Sequence, residues 1–327
     1  MKKAFLVLLV PVLLSNTCYH AGKGEGPFPS TEISNDKVHM KLYLPDKDKG
    51  YYRATRFDWS GIIASLTWNG HEYFGQWKTT HDPLVHEDLS GPVEASVQPG
   101  PGYDQAPFGG TFVRLGVGVL EKPHEKEFHW DHTYRILDPG KWTVTQGKDW
   151  IGFRQEISSP DGYAYVYTKK ITLKEDEPGF IISHTLQNTG TKTFEVDQFN
   201  HNFFMIDGEP TGRNFVVSFP YNLTTENDTK GIVKLEKNEI TFLQDLDKGS
   251  VWLELQGYSD RVSDHAVSVV NKKTGAGIKF HVDKPLYKQV FWACPTTLCP
   301  ENFILLHVEP GQEESWNSDY TLFEEGK

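Results

Sequence analysis

Apolar and polar positions along this chain alternate at intervals of two, and the alternation keeps stopping and restarting. Short runs rich in β-branched and aromatic residues recur from position 38 onward, each bounded by turn-forming residues. They predict strands over 38–44, 61–68, 142–144, 150–157, 163–173, 180–187 and 194–204. The series continues over 214–219, 251–257, 266–270, 278–282, 289–293, 303–308 and 315–323. Turn chemistry separates them. Asn69-Gly70, Pro160-Asp161-Gly162, Asn188-Thr189-Gly190 and Lys273-Thr274-Gly275 all suit hairpin loops. No helical period is sustained beyond the N-terminal segment. The expected fold class is therefore all-β, a large antiparallel β-sandwich spanning 37–327 as one domain.

One stretch breaks the pattern. Between 76 and 110 the chain is irregular and holds His81, Asp82, His86 and Asp88. A loop of that length suits the wall of a binding cleft. Its histidines and acids match no metal-ligand spacing, which favours a solvated loop over a metal site.

The N-terminus changes the picture of where the chain works. Met1-Lys2-Lys3 precedes an apolar run over 4–14, too short to span a bilayer but suited to a secretory signal. Cys18 follows and resembles the cysteine that becomes the lipidated first residue of bacterial lipoproteins. The expectation is a signal segment over 1–18 and a flexible Gly/Pro-rich tether over 19–36. Removing residues 1–17 takes away two lysines and no acids, moving the net charge from −11 to −13. Such a chain repels nucleic acid and anionic lipid, so its membrane contact would run only through the lipid anchor. After Cys18 only Cys294 and Cys299 remain, flanked by Pro295 and Pro300. In an oxidising compartment this spacing suits either a small disulfide-closed rigid loop or two buried thiols.

Candidate chemistry concentrates in Asn200-His201-Asn202-Phe203-Phe204. An imidazole exchanges protons near neutral pH, the amides of Asn200 and Asn202 bond hydroxyls, and rings such as Phe204 cover a pyranose face. The plainer alternative is a structural histidine hydrogen-bonded inside the sandwich.

With that strand in a sandwich, the chain resembles the aldose 1-epimerase (galactose mutarotase-like) superfamily, in its exported bacterial branch. Arg56-Phe57-Asp58-Trp59-Ser60-Gly61 is similar to the family's opening strands, and Asp161-Gly162-Tyr163 to the turn before its central ones. Thr189-Gly190 followed by Asn200 to Phe204 resembles the N-H-x-Y/F-F strand that supplies a catalytic histidine. Val308-Glu309-Pro310-Gly311-Gln312 resembles the last hairpin.

The resemblance implies cofactor-free interconversion of the α and β anomers of a free monosaccharide. A carboxylate and an imidazole on opposite sides of the sugar would open and reclose the ring. His201 takes the acid role. His132, with His129 next, stands closest to a second family histidine. The family's glutamate belongs to a C-x-E-P context, where this chain has Ala293-Cys294-Pro295, so the nearest carboxylate is Glu301. Arg56, Asp264 and Trp292 fall near substrate-binding positions, although Trp292 also suits a core. If no carboxylate faces His201, the chain reads as a non-catalytic sugar-binding protein. A lyase or hydrolase on the same scaffold is the third reading.

Overall fold

The computed structural model describes residues 27–124 and 127–326. The signal segment and Cys18 lie outside them.

Among the described residues, strands account for all regular structure except two short 3-10 turns, Ile206–Gly208 and Val262–His265. Ten strands form one antiparallel sheet. In spatial order they are Val233–Glu236, Glu239–Phe242, Phe215–Ser218, Val267–Asn271, Ala276–Val282, Glu313–Glu324, Gly179–Asn188, Ala164–Leu173, Trp150–Ser158 and Lys141–Gln146. A second sheet of five runs Val251–Leu255, Lys288–Cys294, Thr297–Val308, Phe194–His201 and Val93–Ala95. Smaller sheets of four and three strands flank them. The main core draws Ile151, Ile182, Phe280 and Leu322 from the large sheet and Val251, Leu253, Phe291 and Leu298 from the small one. Apolar residues at every second position of each strand make this interface, as the alternating pattern requires.

Charge also crosses between the sheets. The Lys169 ammonium on the strand Ala164–Leu173 contacts Asp58 at 2.7 Å and Glu94, and it donates to the Ser60 carbonyl at 2.7 Å. Glu94 meets His184 Nε2 at 2.8 Å and accepts from Asn200 Nδ2 at 3.0 Å. Asn200 Oδ1 in turn accepts from the Ser318 hydroxyl at 2.7 Å. All of these side chains are buried. Burial pushes the Glu94 carboxyl up, but Lys169 and His184 outweigh it and hold that carboxyl down at about 2.

Two expectations change, and one open alternative is settled. The tether ends earlier than position 36, because Ser30–Ser34 pairs antiparallel with Val38–Tyr43. Its Ser30, Thr31 and Ile33 are buried, which a free linker would not permit. The irregular stretch 76–110 is packed over 88–95, while Thr79, Thr80, Asp82 and Leu84 stay exposed. His81 sits between Asp88 Oδ1 at 2.9 Å and the Tyr51 carbonyl at 2.7 Å, and the stretch contributes the edge strand Val93–Ala95. Finally, Cys294 and Cys299 are free buried thiols. They occupy a strand hairpin in which Cys294 faces Thr297 and Cys299 faces Trp292. Such diagonal neighbours stand roughly 7–8 Å apart. A disulfide spans only about 4.4–6.8 Å between Cα atoms.

Candidate active site

The five-stranded sheet presents its other face to a cavity of about 500 Å³. Its floor follows from strand alternation. On the strand Phe194–His201 and the residues just after it, Phe199, His201 and Phe203 line the cavity, while Asn200 and Asn202 turn to the interior. The neighbouring strand Thr297–Val308 contributes Glu301 and Phe303, and the strand Lys288–Cys294 contributes Lys288, Val290 and Trp292. The strand Val251–Leu255 adds Trp252, opposite Trp292 in register. Loops close the rim with Arg56, Glu87, Val97 and Trp130.

His201 and Glu301 meet at the centre. The pairing Phe199↔Phe303 fixes the register, and two residues further along each strand the His201 Nε2 and Glu301 Oε1 lie 3.2 Å apart. Both are almost wholly buried. The imidazole stacks on Phe203, with ring centroids 3.9 Å apart, and meets Phe57 and Trp292 edge-on at 5.6 and 5.5 Å. Its Nδ1 has no hydrogen-bond partner, so rings rather than a second polar group set its orientation.

Burial decides the protonation states. It drives His201 well below its ordinary value, and the Arg56 charge pushes the same way. It also raises the Glu301 carboxyl to about 8, against the opposing pull of Arg56 and Lys288. At neutral pH the pair is therefore a neutral imidazole beside a protonated carboxyl, because a dry site disfavours separated charge. One group is a base and its neighbour an acid.

The expected arrangement had acid and base on opposite sides of the sugar. The structure instead places them side by side on adjacent strands. Arg56 and Trp292 share the same cavity. The remaining candidates lie elsewhere. Asn200 belongs to the buried charge network. Asn202 donates from Nδ2 to the Pro300 carbonyl at 2.6 Å and accepts from the Tyr320 hydroxyl at 2.8 Å. Phe204 packs in the main core. His132 is exposed, its ring against Tyr134. Asp264 accepts from the Ser259 amide and hydroxyl and faces Arg261, which makes it a loop anchor. Sequence reasoning missed Trp130, Trp252, Lys288 and Glu87. For Trp252 a signal existed: the alternation that buries Val251 and Leu253 turns the tryptophan between them outward.

Among the described residues, one set of side chains is close enough to share a metal ion. His201, Cys299 and Glu301 bring ligand atoms within 4.8 Å of one another. The set is poorly prepared for that role. Burial pushes the Cys299 thiol well up, Glu301 is likewise raised, and the sulfur already accepts from the Phe203 amide at 3.1 Å. Metal ligands of these types must be deprotonated.

Gly91 holds the histidine strand from the side. A Cβ there would fall 2.3 Å from the Asn202 carbonyl oxygen and 2.7 Å from that of His201. Backbone cannot yield as a side chain does, so Gly91→Ala is expected to cost about 1–3 kcal/mol. It should also lower any activity that depends on the position of His201. Thermal unfolding and activity measured on the same preparation check both effects.

No family model matches the sequence, and comparison with curated proteins finds no match either. Solved structures do match. The Slr1438 protein from Synechocystis sp. PCC 6803 is 15% identical over 94% of this chain and 99% of its own, with a TM-score of 0.55. A galactose mutarotase-like protein from Lactobacillus casei ATCC 334 is 14% identical over 90% of this chain and 100% of its own, at 0.54. An aldose epimerase homologue from C. elegans is 13% identical over 90% and 98%, at 0.55. The chain thus has the galactose mutarotase-like sandwich fold. At such identities the likeness concerns fold alone.

Proposed function

We propose that this chain is an aldose 1-epimerase-like enzyme that opens and recloses the hemiacetal ring of a free monosaccharide. The observation that carries the reading is the His201–Glu301 pair, 3.2 Å apart on the floor of an aromatic cavity. In a cyclic aldose the anomeric hydroxyl and the ring oxygen are bonded to the same carbon. Two adjacent groups, one accepting and one donating a proton, can therefore serve both oxygens from one side.

The neutral His201 imidazole removes the proton from the anomeric hydroxyl. As that oxygen becomes a carbonyl, the bond from C1 to the ring oxygen breaks, and the ring oxygen takes the Glu301 proton. The site now holds an imidazolium and a carboxylate in contact, so no net charge is created. Rotation about C1–C2 presents the other carbonyl face. Reclosure returns the hydroxyl proton to Glu301, while the new anomeric oxygen takes the proton from His201. Trp252, Trp292 and Trp130 supply apolar rings against which a sugar face can stack.

The N-terminal signal and Cys18 support a place outside the cytoplasm, tethered to the envelope by a lipid. That part of the reading rests on the sequence alone.

Exchange spectroscopy by NMR tests the activity on galactose, glucose, xylose and their uronic acids, with and without the purified chain. Accelerated α/β exchange is the expected result. Resonance broadening with unchanged exchange would instead identify a sugar-binding protein that has lost turnover.

A further inference from the structure

Two cations that line the cavity have no carboxylate in ion-pair contact among the described residues, although both act on Glu301 through space. The Arg56 guanidinium makes no ion pair. It lies over two rings, 4.1 Å from the centroid of Trp130 and 4.6 Å from that of Phe57. The Lys288 ammonium likewise has no ion pair and rests 4.3 Å from the centroid of Phe303. The chain carries 44 acidic and 33 basic residues, so partners are not scarce. Six lysines do find one, as Lys78, Lys174, Lys234, Lys272, Lys273 and Lys284 each contact a carboxylate within 2.8 Å, while Lys170 and Lys192 rest over rings as Lys288 does.

The acids of the cavity do not neutralise these two charges. Glu301 carries its proton at neutral pH and faces His201. Glu87 is held by Lys78 at 2.7 Å and approached by His86 at 3.8 Å. His201 is uncharged. The cavity of an acidic protein is thus locally positive, and both cations act on Glu301, one from the rim and one from the sheet.

We infer that the substrate is an anionic aldose, with its acidic group on the carbon chain next to the ring oxygen, as in a hexuronate. This rests on the epimerase reading of the same site. When C1 and the ring oxygen sit at His201 and Glu301, the substituent on the far side of the ring oxygen projects only a few bonds away. That is the zone where Arg56 and Lys288 are felt. A guanidinium packed against two rings loses little freedom on binding and keeps hydrogen-bond donors for a carboxylate or a phosphate.

Titration calorimetry and NMR exchange of galactose, galacturonate and galactose 6-phosphate on the full chain test the inference. The acidic sugars should bind at least about tenfold more tightly than galactose, the factor of a single charge-assisted hydrogen bond. The preference should fall as salt rises. The stronger of the two identifies carboxylate or phosphate as the group read. Lys288→Met and Arg56→Met should each reduce the charged-to-neutral affinity ratio about tenfold, and two separate variants guard against one that misfolds. Equal or tighter binding of galactose would overturn the inference while leaving the epimerase reading standing. Tight binding of an acidic sugar without exchange would do the reverse.

Discussion

His201→Ala is expected to slow anomer exchange by about 10²–10⁴-fold, the range that one positioned acid–base group contributes. Glu301→Gln should fall in the same range, because the amide cannot deliver a proton to the ring oxygen. Glu301→Gln keeps the side-chain volume, and His201→Ala removes ring contacts with Phe203, Phe57 and Trp292 at the cavity wall without unpairing a strand. Near-native circular dichroism and unfolding temperature are therefore expected alongside the lost activity. The double variant should be little worse than either single one, as groups that act as a unit are not additive.

The pH profile separates two assignments of role. If neutral His201 is the base and protonated Glu301 the acid, activity holds through neutrality and declines above about 8, where Glu301 loses its proton. If Glu301 must be ionised to act as base, activity climbs toward that same pH. The geometry and the dry surroundings favour the first profile. A rate that rises steadily to pH 9 would exclude it. The raised carboxyl also has a stability consequence. Native Glu301 keeps a proton that the unfolded chain releases in the ordinary carboxylate range, so its contribution to stability declines as pH rises from there to about 8.

Lys169→Met should be the most damaging single change to stability. It strands Asp58 and Glu94 in the interior with no ammonium between them, and breaking a buried charge network by removing one partner costs about 3–5 kcal/mol. Glu94 belongs to Val93–Ala95, whose Val93 pairs with His201, so the damage reaches the site as well. Chemical denaturation measures the loss. Adding Glu94→Gln to Lys169→Met should recover part of it, because the second change removes a stranded charge. Simple additivity of the two would mean that the contact carries no coupling energy.

Much of the sandwich was legible because long strands announce themselves. Alternation over ten or more residues marked Ala164–Leu173, Gly179–Asn188 and Glu313–Glu324. The strands that escaped notice are short: Ser30–Ser34, His71–Glu72, Val93–Ala95, Thr111–Arg114, Gly118–Glu121, Ile136–Asp138, Val233–Glu236 and Glu239–Phe242. Two to five residues hold too few periods to stand out, and tertiary contacts decide their fate. Pro300 misled for a different reason. A proline usually argues against a central strand, yet Thr297–Val308 has neighbours on both sides. Its ladder with the histidine strand reaches only to Phe303, so at Pro300 that side needs no amide donor. Reading a loop there hid the fact that Glu301 continues the row of Phe303. His201 stood out through its chemistry. Its two asparagine neighbours were misassigned to the sugar because the strand's own alternation, which turns them inward, was not applied to them.

That alternation makes the Asn-His-Asn strand intolerant of a change in reading frame. A one-residue deletion between Phe194 and Phe199 would hand the imidazole to Glu94 and Ser318 and turn an asparagine toward the cavity. Both asparagines are as tightly committed to interior partners as His201 is to Glu301. Laboratory evolution of this chain can therefore exchange residues along the strand for a new substrate. It has no neutral route through insertions or deletions, which are better aimed at the rim loops carrying Glu87 and Trp130.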